Sequence, residues 1–177
     1  MEARQLLAEH HIVHGAEFEK GGMMERLILG KYFEDFVVGE KLISAGRTIG
    51  ESTIEMFAGL TGDFSDVHMD AEVMKETEFG GRIGHGILAL GIMQGLMWQT
   101  NYNLGTAVAT LGWNKVKSSA PLRAGDTVRA NWSIESKRES QSRPEMGILV
   151  EGCRLVNQRG ETVLSGEHVL MVRRRPA

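Results

Sequence analysis

The run from Gly86 to Trp98 restricts the fold more than any other feature of the sequence. Its spacing is helical, its side chains are apolar on almost every side, and Gln94 is its only strongly polar residue. A helix of this kind is stable in a protein surrounded by water only when other elements cover most of its surface. The longer apolar stretch, from Ile83 to Trp98, still falls short of the ~20 residues that span a bilayer. We therefore predict a buried central helix and no membrane span.

The sequence after Gly105 changes from helical to strand-like patterning. Strands are predicted over residues 107–116, 127–138, 146–158 and 161–174. The turn Gln158-Arg159-Gly160 indicates that the last two strands form a hairpin. Helices followed by long antiparallel strands are typical of an α+β protein. We predict one curved antiparallel sheet folded around one buried helix.

Shorter elements are expected before the central helix. Ser52 and Glu55 have the spacing of a capping box, and Gly62 suits the left-handed end of a helix. The predicted order is a strand over 41–49, a helix from Ser52 or Thr53 to Gly62, a loop over 63–69, and a helix over 70–78 capped by Asp70.

Composition excludes several classes of protein. The 177 residues fit one domain, which we assign to residues 31–177, after a flexible or partly helical N-terminal extension over residues 1–30. A formal net charge of -3 offers no basic field for nucleic acid. Cys153 is the single cysteine, which fits a reducing compartment, and we expect a cytoplasmic protein. His10 and His14 lie one helical turn apart but lack a nearby third ligand, so we interpret them as part of a frayed terminus.

The segment after the first helix contains the first candidate for chemistry. Asp63 and His68 lie five residues apart, so a loop can turn both side chains toward one water molecule. A carboxylate and an imidazole placed in this way can move a proton between water and a substrate carbon. The alternative is that Asp63 caps a turn and His68 is a partly buried surface residue, and spacing alone favours this alternative.

The second candidate is the segment from Arg82 to Gly86, which opens the central helix. Free amide groups at a helix N-terminus attract negative charge, and a carbonyl oxygen that becomes enolate-like would be stabilised there. The alternative is that Gly84 and Gly86 only allow a sharp entry into a crowded core. We interpret His85 as a structural histidine bound to backbone rather than as a second base.

These segments together resemble the MaoC-like dehydratase family, whose best-known members are the (R)-specific enoyl-CoA hydratases. The family motif Gly-Asp-x-Asn-Pro-x-His corresponds here to Gly62-Asp63-Phe64-Ser65-Asp66-Val67-His68, and its later His-Gly corresponds to His85-Gly86. The segments 32–40 and 121–128 also look like the family, so the resemblance extends from residue 32 to about residue 174.

The resemblance implies a hot-dog fold, in which a curved antiparallel sheet wraps around a long central helix. It also implies a homodimer or a larger assembly of dimers, with acyl-CoA bound in a tunnel at the subunit interface. Carried over by position, Asp63 and His68 activate water, and the amide of Gly86 binds the thioester oxygen. The implied reaction is hydration of a trans-2-enoyl-CoA to an (R)-3-hydroxyacyl-CoA, or the reverse dehydration.

Other residues are expected to contact the substrate. Ser65, Gly84 and His85 lie beside the proposed catalytic residues in the sequence, and Arg82 and Lys115 are candidate ligands of the CoA phosphates. No motif for a metal, flavin or nicotinamide stands out, and we expect no cofactor other than the acyl-CoA substrate.

The chain departs from the family motif at two positions. Ser65 replaces an asparagine and therefore offers a shorter hydroxyl. Asp66 replaces a proline and adds a carboxylate, which is expected to raise the pKa of one member of the Asp63–Asp66 pair. These departures keep open the alternative of a non-catalytic acyl-CoA-binding domain. An acyl-CoA thioesterase of the hot-dog type also stays open, because hot-dog proteins with a carboxylate near the helix terminus cleave acyl-CoA as well.

Overall fold

The structure is a computed structural model that describes residues 30–176. The predictions for residues 1–29, including those for His10 and His14, lie outside the described residues. The described part begins with a 3-10 turn at Phe33–Asp35 and contains strands β1 (Lys41–Ile43), β2 (Arg47–Thr48), β3 (Ala107–Ser118), β4 (Thr127–Glu139), β5 (Met146–Val156) and β6 (Thr162–Arg173), with helices α1 (Glu51–Thr61), α2 (Asp66–Met69), α3 (Ala71–Lys75) and α4 (Gly86–Trp98).

The strands form one antiparallel sheet in the order β1-β4-β5-β6-β3, and β2 pairs with β4 beyond the end of β1. The four long strands match the predicted ones to within two residues at each end. The hairpin between β5 and β6 turns at Gly160, whose φ of 81° lies in the left-handed region that glycine adopts easily. The order leaves β3 at an edge, bonded only to β6 among the described strands.

Helix α4 lies across one face of the sheet and contacts β4, β5 and β6. Its buried side chains recur at helical spacing, which makes one apolar stripe toward the sheet. They are Leu88, Ala89, Ile92, Met93, Leu96 and Met97. None of the helices in residues 30–176 combines the length and apolar character that a membrane crossing requires.

The opposite side of α4 is not covered as the sequence predicted. Ile87 and Trp98 are 68% and 46% exposed, and Gly91 and Gln94 between them are also exposed. The described part of one chain therefore covers only the sheet-facing side of this helix, and an apolar strip faces outward.

The predicted elements before α4 need correction. The strand expected over 41–49 is interrupted after Ile43, where Ser44 accepts a hydrogen bond from the amide of Ala130. Helix α1 begins at Glu51 with Gly50 as its N-cap, and not at a serine or threonine cap. Its predicted end at Gly62 is confirmed, with a φ of 80°.

The segment after α1 is more helical than predicted. Residues 66–69 form the short helix α2 inside the predicted loop, with Ser65 as the N-cap. Asp70 caps α3 as predicted, because its carboxylate accepts hydrogen bonds from the amides of Glu72 and Val73 at 2.9 Å. Helix α3 ends at Lys75, three residues before the predicted end.

Candidate active site

A cleft of about 450 Å³ lies between α2, the N-terminus of α4 and the segment that follows β3. His68, Gly84, His85 and Gly86 line it together with apolar side chains, among them Val67, Ile83, Leu122 and Val163. The two segments singled out from the sequence therefore meet at one place.

His68 is held in a single orientation at the edge of this cleft. Its Nδ1 lies 2.7 Å from the carbonyl oxygen of Ile83. A carbonyl only accepts, so Nδ1 carries the proton and donates it, and in the neutral ring Nε2 carries a lone pair. Nε2 lies 3.9 Å from Oδ2 of Asp63. The side chain of His68 is 11% exposed, which leaves little freedom for the ring to turn away.

Asp63 is fixed by the residue that replaces the motif asparagine. Its Oδ1 accepts hydrogen bonds from the hydroxyl of Ser65 at 2.7 Å and from the amide of Ser65 at 3.3 Å. These two hydrogen bonds lower the pKa of Asp63 below its ordinary value. Asp63 is therefore not the member of the Asp63–Asp66 pair with a raised pKa, because hydrogen bonds from Ser65 stabilise its ionised form.

The separation of Asp63 and His68 suits a shared water. Oδ2 of an ionised carboxylate and Nε2 of a neutral imidazole are both acceptors, so they do not bond to each other directly. One water can donate a hydrogen bond to each of two acceptors 3.9 Å apart. The predicted convergence of the two side chains is present in the structure. The features of the alternative are present as well, because Asp63 also caps a turn through Ser65 and His68 is partly buried.

His85 contacts both members of this pair. Its Nε2 donates to the carbonyl oxygen of Asp63 at 3.1 Å, and its ring stacks on the His68 ring with centroids 3.7 Å apart. The Phe57 ring packs against it at 4.9 Å. His85 is buried, and its Nδ1 has no hydrogen-bond partner among the described residues. The bond to backbone agrees with the predicted structural role of His85.

Asp63, His68 and His85 also offer three possible metal ligands, whose atoms lie within 4.8 Å of one another. A metal ion binds the lone pair of an imidazole nitrogen, which lies in the plane of the ring. The two imidazole rings are stacked with only 30° between their planes, so their in-plane lone pairs do not point at one common position. Nε2 of His85 bonds a carbonyl oxygen, and only its Nδ1 is without a partner among the described residues. This arrangement fits proton transfer better than it fits an ion shared by both rings.

The N-terminus of α4 faces the same cleft. Gly86 is the first helical residue and His85 is the N-cap, without a side-chain cap. The first amides of a helix have no carbonyl partner within it, so the Gly86 N–H is free to bind a ligand. The amide of Gly84 is already used, since it donates to the carbonyl oxygen of Leu122 at 2.7 Å.

The two candidate phosphate ligands do not line this cleft. Arg82 pairs with Glu51 and Glu55 of α1, at 3.2 and 3.4 Å, so its guanidinium anchors α1 beside the site. Lys115 pairs with Glu167 at 2.6 Å and lines a separate groove of about 560 Å³. The structure thus brings Ser65, Gly84 and His85 to the pair, but within one chain it does not bring Lys115 there.

Sequence reasoning missed Ser118. It lies at the end of β3 and faces Gly86 across the cleft, because a Cβ added at Gly86 would lie 3.3 Å from Ser118 Oγ. A single serine between a strand and a proline-containing loop carries no motif, so only the packing of β3 beside α4 shows its position.

Comparison with known proteins decides the family. The MaoC like domain matches residues 35–151. The chain belongs to the MaoC-like dehydratase family. The family predicted from the sequence is confirmed, and so is the prediction of a hydratase or dehydratase type of enzyme.

Two MaoC-like relatives align with different shares of the chain. The (R)-specific enoyl-CoA hydratase of Rhodospirillum rubrum is 31% identical over 143 residues, which are 80% of this chain and 91% of that protein. Protein MaoC of Klebsiella aerogenes is 30% identical over 113 residues, or 64% of this chain, and the chain spans only about a third of that protein (33%).

Solved structures confirm the predicted hot-dog fold. The MaoC-like dehydratase from Rhodospirillum rubrum superposes with a TM-score of 0.76 at 28% identity, over 84% of this chain and all of that one (100%). A protein from Mycobacterium tuberculosis described as a double hot-dog fold superposes with a TM-score of 0.70 at 17% identity, over 83% of this chain and 45% of that one. The α+β fold class predicted from the sequence is therefore confirmed for this MaoC-like chain.

The role of Ser65 can be measured directly. We expect Ser65→Ala to raise the pKa of Asp63, because the variant removes the shorter of the two hydrogen bonds that stabilise the carboxylate. An NMR titration of the Asp63 carboxyl carbon gives the pKa in both proteins. Ser52→Ala, on the exposed surface of α1, is the matched control. An Asp63 pKa that is the same in Ser65→Ala and in the unaltered protein would contradict this role.

Proposed function

We propose that this MaoC-like protein catalyses the (R)-specific hydration of trans-2-enoyl-CoA to 3-hydroxyacyl-CoA, and the reverse dehydration. The observation that carries the proposal is the 3.9 Å separation between Oδ2 of Asp63 and Nε2 of His68, at the cleft that the N-terminus of α4 faces. Relatives named (R)-specific enoyl-CoA hydratase and 3-hydroxybutyryl-CoA dehydratase support the choice of reaction.

In the proposed mechanism, Asp63 and His68 hold the attacking water. The water donates one hydrogen bond to Oδ2 of Asp63 and one to Nε2 of His68. As the water oxygen bonds to C3 of the enoyl group, Nε2 accepts a proton, and the nearby carboxylate stabilises the imidazolium. The bond from Nδ1 to the carbonyl of Ile83 keeps Nε2 directed at the water throughout.

The electron pair of the double bond moves toward the thioester carbonyl. The carbonyl oxygen becomes enolate-like, and the Gly86 N–H at the start of α4 donates a hydrogen bond to it. The proton on Nε2 then passes to C2. A hydroxyl and a hydrogen have been added across the double bond, and both catalytic side chains return to their starting state.

We further propose that the protein acts as a homodimer. Strand β3 is at the edge of the sheet, and Leu111 on it is exposed, as are Ile87 and Trp98 on the outer side of α4. A second copy on this side would cover the apolar strip that the described part of one chain leaves open. We also propose a cytoplasmic location, because Cys153 is a free, buried thiol.

The test is a hydration assay with a panel of enoyl-CoA thioesters, beginning with crotonyl-CoA. The enoyl absorbance should fall on addition of the protein, and an (R)-specific 3-hydroxyacyl-CoA dehydrogenase should oxidise the product. An (S)-specific dehydrogenase, which should leave the product unchanged, is the control. Failure to consume short, branched and dicarboxylic enoyl-CoA thioesters would contradict the proposal.

A second candidate is hydrolysis of the thioester. The side chain of Asp63 is 52% exposed beside a helix N-terminus, so the water it holds has access to a carbonyl carbon as well as to C3. Release of free CoA thiol in the same assay would identify this reaction. A rise in thermal midpoint with acyl-CoA, without consumption of the ligand, would identify binding alone.

A further inference from the structure

Ser118 lies where the thioester oxygen is expected to bind. It is the last residue of β3 and pairs with Leu164 of β6. Two features before it redirect the end of the strand: a change of register between Asn114 and Lys117, and a positive φ of 51° at Lys115. The irregular strand end brings the hydroxyl of Ser118 beside the first residue of α4.

The glycine at position 86 leaves this place accessible. A Cβ at Gly86 would lie 3.3 Å from Ser118 Oγ, tighter than an ordinary contact. Any larger side chain at this position would therefore occupy the space between the helix N-terminus and the serine hydroxyl. The absence of a side chain at Gly86 keeps both donors accessible from the cleft.

The hydroxyl of Ser118 is also uncommitted among the described residues. Residues 30–176 provide it with no hydrogen-bond partner, whereas three other donors around the cleft are occupied. The amide of Ile83 donates to Val67 at 3.1 Å, the amide of Gly84 donates to Leu122 at 2.7 Å, and Nε2 of His85 donates to Asp63 at 3.1 Å. Ser118 is therefore a side-chain donor that stays free among the described residues beside the helix N-terminus.

We propose that Ser118 Oγ–H donates a second hydrogen bond to the thioester carbonyl oxygen that the Gly86 amide binds. This role rests on the proposed hydratase function and extends it to a further catalytic residue. A carbonyl oxygen has two lone pairs, so it accepts from both donors at once. As negative charge develops on the oxygen, both bonds strengthen, and the transition state gains more than the bound substrate.

The test compares two substitutions at Ser118 in the crotonyl-CoA assay. Ser118→Ala removes the donor, and Ser118→Cys keeps nearly the same volume but has only a weak S–H donor. Loss of one oxyanion donor reduces kcat by on the order of 10²-fold, so we expect both variants to lose kcat by about this factor, with a smaller change in KM. Ser136→Ala, an exposed serine in β4 away from the cleft, should keep the kcat and KM of the unaltered protein.

The outcomes separate this role from the function on which it rests. Unaltered kcat in Ser118→Ala would overturn the proposal while the hydratase function stands. Recovery of kcat in Ser118→Cys would also overturn it, because the side-chain volume would then matter and the hydroxyl would not. If the unaltered protein hydrates no enoyl-CoA, the proposed function fails, and the role of Ser118 fails with it. Thermal midpoints within one degree or so of each other are expected, because Ser118 is exposed.

Discussion

Asp63→Asn and His68→Gln should each lower kcat for enoyl-CoA hydration by ~10²–10⁴-fold, the usual contribution of a general acid–base group. The asparagine amide has no negative charge to stabilise an imidazolium, and glutamine cannot accept and return a proton. Both replacements keep approximate size, and Asp63 is half exposed, so the fold should be retained. The measurement is the initial rate of loss of enoyl absorbance at saturating crotonyl-CoA, with thermal midpoints recorded for each variant.

Asp66→Asn is the matched control for the charge change. Asp66 lies three residues after Asp63, at the start of α2, and is exposed. We expect it to keep kcat within a few-fold of the unaltered value, since no catalytic contact depends on its carboxylate. Equal losses in Asp66→Asn and Asp63→Asn would assign the effect to the charge of the loop. Unaltered rates in both Asp63→Asn and His68→Gln would show that this pair does not transfer the proton.

The sheet was predictable because its signal is local. Side chains alternate between buried and less buried along 127–134 and 150–156, and turn residues such as Gly160 mark where the chain reverses. The short helix α2 gave no comparable signal, since four residues cannot display a helical period. Contacts distant in sequence hold it instead, among them the bond from His68 to the carbonyl of Ile83.

The site was predictable where its parts are close in sequence or belong to a motif. The five-residue spacing of Asp63 and His68 allowed both to reach one water, and the structure places them so. Ser118 and Gly86 are 32 positions apart, and only the irregular end of β3 brings them together. Lys115 is a residue for which the sequence signal was misleading about position. Its charge suggested a phosphate ligand near the site, but its place on β3 puts it in another groove of the same chain.

A buried polar cluster on strands β5 and β6 was not indicated by sequence patterns. The carboxylate of Glu151, in β5, is completely buried. It accepts hydrogen bonds from Tyr102 at 2.9 Å and from Nδ1 of His168 at 2.8 Å, while Nε2 of His168 bonds Thr110. Burial and the neighbouring Glu151 raise the pKa of Tyr102, so its hydroxyl stays protonated and donates.

His168→Leu should destabilise the protein by about 1–3 kcal/mol, the usual cost when a buried polar group loses a hydrogen-bond partner. The replacement leaves the carboxylate of Glu151 in the interior with only the Tyr102 hydroxyl as a donor. It also removes the ring that stacks on Trp113, with centroids 4.5 Å apart. Urea unfolding followed by circular dichroism gives the free energy of unfolding for the variant and for the unaltered protein.

The double variant Glu151→Leu, His168→Leu distinguishes a lost hydrogen-bond partner from lost packing. If the cost of His168→Leu comes from the stranded carboxylate, removing that carboxylate should restore part of the stability, because apolar replacements for a buried pair are often close to neutral. If the cost comes from the missing imidazole ring, the double variant should be at least as unstable as His168→Leu. The first result is the one we expect, since Tyr102 and His168 are the side chains that bond the buried Glu151 carboxylate among the described residues.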